Sequence, residues 1–156
     1  MSLTPLHDPN DRALAHTLGY AGLIPFVLLA LMLWLVDPQL QAWVSIALAG
    51  YAALIVSFLG GIHWGMAWQA GHAAATAVRH ALRRHFVWGV VPSLLAWPGL
   101  LMPAYAGLAW LGFLLILCYL SDRSLYRAAG VADWLTLRFH LSAVAALSCF
   151  VGAAAI

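Results

Sequence analysis

The residues of this sequence that could do chemistry are His63, Asp122, Arg138 and His140, each set inside or beside a long apolar run. An ionisable group within a hydrocarbon layer costs about 2.5–3.5 kcal/mol even on the mildest insertion scales. Such groups therefore face a helix-bundle interior, pair with one another, and mark ion or ligand sites. Asp122 ends one apolar run and Arg138 opens the next, so an Asp122–Arg138 ion pair is expected, lowering the cost of placing both there. His63 and His140 come from different runs and sit at similar depth, each roughly 8 Å from the end of its run at the α-helical rise. Arg138 and His140 are two residues apart, about 200° around a helix, and cannot both point at one spot. Arg138 shares its face with Ser142, Ala145 and Cys149, a small and polar stripe that belongs inside. His140 is then left to a neighbouring helix, a lipid headgroup or a partner.

Two readings follow. In one, a small polar cavity lined by His63, Trp64, Trp88, Asp122, Tyr126 and Arg138 holds a quinone headgroup, an anionic lipid or a proton relay. In the other, His63 bonds a carbonyl across a glycine-rich helix contact while Arg138 snorkels to the headgroups. No resident cofactor or metal is predicted, and quinone and haem b are the candidates weighed. Haem b between His63 and His140, with His140 as the candidate cofactor ligand, needs both rings inward at one level, against the angular relation above. A zinc site from His63, His85 and His140 lacks the local spacing of metal motifs. The chain has no Ser/His/Asp order, no HExxH and no phosphate-binding glycine loop, since GGIHWG lies within an apolar run. No catalytic residue is assigned.

The elements that position these groups follow from composition. Of 156 residues, 65% are hydrophobic and 8% charged, with a mean hydropathy of +0.92. Soluble domains carry roughly 25% charged residues, so the solvent on the flanks of this chain must be lipid. The reading is an all-α, polytopic membrane protein, a bundle of about five transmembrane helices forming a single domain over 1–156. Helices are expected near 18–36, 42–68, 86–102, 104–120 and 134–156. Asp37-Pro38 stops the first, which Pro25 could kink. Gly61 and Gly65 form a GxxxG pair in the second, a close-packing signal. Pro92 and Pro98 bend the third, and Pro103 makes so short a link that the third and fourth must form an antiparallel hairpin. The Ala-rich stretch before Arg84 either lies on the membrane surface or extends the third helix. Asp133 is a plausible N-cap for the fifth.

Five spans put Arg12, Arg79, Arg83, Arg84, Arg123, Arg127 and Arg138 at one side and only Asp37 at the other. The positive-inside rule makes that side cytoplasmic, with the N-terminus inside and Ile156 on the periplasmic side of an inner membrane. Arg79, Arg83, Arg84, Arg123 and Arg127 are assigned to lipid headgroups. Most tryptophans fall near the two interfaces and read as anchors, with Trp110 deeper. The polar, acidic start of the chain lacks the basic opening of a secretion signal, so the first helix is read as retained. Cys118 and Cys149 differ in depth by roughly 15 Å at the helical rise, too far for a disulfide, and are expected as free buried thiols. A formal charge of +2 offers nothing to nucleic acid.

The chain resembles the family called domain of unknown function 3429, which includes animal transmembrane protein 69. The likeness rests on Gly19-Tyr20-Ala21-Gly22-Leu23-Ile24-Pro25, on residues 57–65, on Pro92-Ser93-Leu94-Leu95-Ala96-Trp97 and on Asp122-Arg123. It implies a small polytopic membrane protein of bacteria and mitochondria and carries over no activity or catalytic residue. The leading functional expectation is an accessory or assembly subunit of a membrane complex, with a protein partner or a second copy in the bilayer. The alternative is a binder or carrier of a lipid-soluble molecule such as a quinone.

Overall fold

The computed structural model describes residues 9–71, 79–128 and 135–156. The side chains of residues 9, 11, 69–71, 79–82 and 124–128 lie outside that description. The helices are α1 Pro9–Ala21, α2 Ile24–Leu35, α3 Pro38–Gly71, α4 Arg79–Gly99, α5 Ala104–Ala128 and α6 Leu135–Ala153, with no strand among the described residues. Four stretches are long and apolar enough to cross a membrane: Arg12–Leu35, Pro38–Trp68, Ala104–Arg123 and Leu135–Ala153. The remaining helix, α4, opens with Arg79, Arg83 and Arg84 before its apolar run begins at Phe86. The protein is an all-helical membrane bundle.

The first expected span is two helices. The chain bends at Gly22 and Leu23, whose N–H groups still donate to Leu18 and Tyr20 carbonyls at 3.0 Å. Pro25 therefore sits in the first turn of α2, where a missing N–H leaves nothing unpaired. The Tyr51 hydroxyl of α3 donates to the Gly22 carbonyl at 2.8 Å, tying the bend to the bundle.

Phe26 and Leu33 of α2, Leu48 and Val56 of α3, and Leu108, Leu111, Leu114 and Leu115 of α5 make a core that is almost entirely inaccessible. Leu35, Trp43, Leu54, Phe58, Leu94 and Leu147 point outward, as lipid solvation requires. α3 packs chiefly on α4, and α5 on α6. The hairpin expected at Pro103 is present, with Leu100 and Leu101 N–H donating to Trp97 and Pro98 carbonyls and Gly107 of α5 seated on the Gly99 carbonyl. Trp110 resolves its depth by donating its indole N–H to the Leu95 carbonyl at 2.7 Å. Cys118 and Cys149 are buried and free.

Glycine placement departs from expectation. The pair that faces outward is Gly61 and Gly65, and a Cβ added to either would meet nothing within 4 Å. Close packing falls instead to Gly60, where a Cβ would stand 2.5 Å from the Gly89 carbonyl oxygen of α4. A Cβ on Gly89 would collide with the Trp64 ring. The backbones of α3 and α4 therefore touch at Gly60 and Gly89, a contact only glycine permits. The Ala-rich stretch before Arg84 continues the helix from Arg79 onward, and α5 runs past the expected residue 120 to Ala128. Asp133 lies outside the described residues.

Candidate functional site: a buried polar row across four helices

The Gly60–Gly89 crossing fixes what lies one turn away on each helix. On α3 that residue is His63, and on α4 it is His85. Their Nδ1 atoms stand 3.3 Å apart. The other nitrogen of His63, Nε2, lies 2.8 Å from Asp122 Oδ1 on α5. Arg138 of α6 donates to Asp122 Oδ2 from Nε at 3.0 Å and from Nη2 at 2.8 Å, and its Nη1 donates to the Ser142 hydroxyl at 3.0 Å. The result is a row, His85–His63–Asp122–Arg138–Ser142, that joins α4, α3, α5 and α6.

Burial sets the character of this row. His63 and Asp122 are 1% exposed and Arg138 is 8% exposed. A carboxylate and a guanidinium taken this far from water repay the loss only with good geometry and complete hydrogen bonding. Here Asp122 accepts three hydrogen bonds, and among the described residues every buried side-chain nitrogen or oxygen has a partner. An ionised carboxylate only accepts, so His63 donates to it from Nε2–H. With a neutral His63 ring, its Nδ1 lone pair accepts the Nδ1–H of His85. His85 is half-buried, on the turn before the apolar run of α4. Its pKa is held below the usual value by burial first, then by His63 and Arg84.

The Asp122–Arg138 pair expected from sequence is present, and Arg138 lies with Ser142, Ala145 and Cys149 on the buried face of α6. Arg138 reaches inward to the carboxylate and does not snorkel, and His63 engages side chains on α4 and α5. Trp64 is 44% exposed. Its indole N–H donates to the Phe86 carbonyl at 3.1 Å and its ring meets Phe86 edge-on, so it clamps α3 to α4 beside the row. Trp88 is half-buried, and the side chain of Tyr126 lies outside the described residues. His140 is exposed, with Nδ1 3.3 Å from the Tyr20 hydroxyl on α1, away from the row. The two rings weighed as haem ligands thus have different partners, His63 meeting His85 and Asp122 and His140 meeting Tyr20. Arg83, Arg84 and Arg123 are exposed, while the side chains of Arg79 and Arg127 lie outside the described residues. No trio of His, Cys, Asp or Glu among the described residues is placed to hold a metal ion.

Two members of the row were not assigned to it from sequence. Ser142 was legible only as part of the inward face of Arg138. His85 was weighed only as a zinc ligand beside His63 and His140, and its role in the row depends on the α3–α4 crossing point.

A separate cleft of about 360 Å³ lies between α5 and α6, lined by Ile116, Tyr119, Phe139, Ser142, Ala146 and Phe150. Ser142 is the point at which this apolar cleft meets the end of the polar row.

Residues 12–154 match the model of a family described as protein of unknown function, DUF3429. The chain belongs to the DUF3429 family. Neither a curated protein nor a solved structure matches it. The matched span of this DUF3429 member takes in every residue of the polar row and the Gly60–Gly89 crossing.

Proposed function

We propose that this DUF3429 member is a non-catalytic inner-membrane protein that acts by association, as an accessory or assembly subunit of a membrane complex. Its N-terminus is cytoplasmic and its C-terminus periplasmic, a reading supported by the one-sided arginines. The observation that carries the functional reading is the outward Gly61–Gly65 pair, whose Cβ positions are open while Gly60 alone meets α4. In lipid there is no hydrophobic drive between helices, so close backbone approach at small residues is the main route to association. On the same side of α3 lie Leu54, Phe58 and Trp68, all exposed. The self-satisfied polar row agrees with this reading, because it offers no orphaned buried group awaiting a substrate.

The test is native mass spectrometry after extraction in a mild detergent. A species containing this chain and a second protein, or a second copy, is the expected result. The complex should weaken when Gly61→Leu is introduced. A clean monomer under the same conditions overturns the reading.

A second reading is favoured by the α5–α6 cleft. Its volume and apolar lining, with the hydroxyl-bearing Tyr119 and Ser142, fit a lipid-soluble small molecule such as a quinone. In that case the spectrum shows one chain with a small bound mass, which Ser142→Leu removes.

A further inference from the structure

The polar row has a property that neither association nor ligand binding uses. It forms a continuous hydrogen-bonded path from a half-buried histidine to a buried carboxylate. We propose that His85, His63 and Asp122 form a proton-uptake site of single capacity, entered at His85 from the arginine-rich end of the bundle.

The argument is one of donors and acceptors. In the resting row, His63 donates from Nε2 to Asp122 and accepts at Nδ1 from His85. His85 then carries its proton on Nδ1, leaving the lone pair on Nε2. A hydronium or buffer acid can protonate that nitrogen because the ring is only half-buried. The His85 imidazolium passes its Nδ1 proton across the 3.3 Å contact to Nδ1 of His63. His85 is left neutral, with its proton on Nε2. His63 becomes the imidazolium, donating from Nε2 to Asp122 and from Nδ1 back to His85. One proton enters at one atom, one crosses one hydrogen bond, and no other bond changes.

The same geometry excludes a second proton. With both rings charged, two Nδ1–H groups would face each other at 3.3 Å, with no lone pair between them. The charges around the row set when it fills. Two charged groups face His63: Asp122 on α5, and Arg138 on α6, which shares that carboxylate. Arg84 on α4 opposes a charge on His85, and Cys118 on α5, a thiol near Asp122, brings none. Burial, His63 and Arg84 lower the pKa of His85, so the entry ring takes its proton only on acidification. Beyond Arg138 the row ends at the Ser142 hydroxyl, which makes it a store and not a channel.

The test is ¹⁵N-histidine NMR of the full chain in lipid nanodiscs, titrated between pH 8 and pH 4.5. At neutral pH a through-hydrogen-bond coupling between two imidazole nitrogens should identify the His85–His63 pair without any variant. On acidification both rings should shift at one shared midpoint, with a single proton taken up by the pair and the coupling retained. In His85→Asn the acid-induced change at His63 should be lost or its midpoint moved by at least tenfold in proton concentration. His140→Gln, outside the row, should leave the pair unchanged. The proposal is overturned if His85 titrates alone while His63 keeps its neutral form throughout. It is equally overturned if the two rings take up two protons independently, and both outcomes are read from the wild-type protein should His85→Asn fail to fold.

Discussion

Replacing Asp122 by Leu should be among the most damaging single substitutions in the bundle, and replacing its ion partner as well should undo most of the damage. Asp122→Leu removes the acceptor of three hydrogen bonds and leaves Arg138, 8% exposed, without its counter-charge. Breaking a buried pair from one side costs about 3–5 kcal/mol. The orphaned His63 Nε2–H adds about 1–3 kcal/mol. Arg138→Met should likewise cost about 3–5 kcal/mol, because Asp122 keeps His63 but loses its only full positive charge among the described partners. In the double variant no charge is stranded, and the remaining loss is chiefly the His63 bond and the Ser142 contact, about 1–3 kcal/mol together. The two changes should therefore be non-additive by about 3 kcal/mol or more. Unfolding equilibria of the four proteins in mixed micelles, followed by circular dichroism, measure this cycle. Additivity within about 0.5 kcal/mol would mean that the two residues act independently, and would refute the view of the row as one coupled unit.

Two further outcomes follow from the same geometry. Gly60→Leu should prevent α3 and α4 from closing and lower thermal stability sharply, because the added atoms meet Gly89 backbone, whereas Gly61→Leu should leave the melting temperature of the monomer unchanged. Equal effects at the two positions would contradict the assigned rotation of α3. Stability should also fall as pH drops below 6.5: His85 has a lowered pKa in the fold, so the unfolded chain binds the extra proton first, and the loss ends below the folded-state pKa. The difference between pH–stability curves of the wild type and His85→Gln isolates this term, and a difference that grows toward alkaline pH would reverse the assignment.

Sequence by itself determined much of this protein. The apolar runs and their breaks defined a helical membrane bundle. The Asp122–Arg138 pair was legible because the two residues bracket one connection, and consecutive antiparallel helices bring such positions together whatever else the bundle does. The inward face of α6 was legible because Arg138 and Ser142 mark it among apolar neighbours. The first span was read as one helix because Pro25 signals only a kink, while Tyr51 of α3 holds the bend and adjoins it through space alone. Tertiary structure decided which glycine of Gly60, Gly61 and Gly65 meets a neighbour, and with it the partners of His63. In water, hydropathy separates a buried face from a solvated one. In lipid both faces are apolar, so the rotation of α3 leaves little trace in its residue types. That rotation turns His63 toward Asp122, and the glycine contact it creates carries His85 into hydrogen-bonding range.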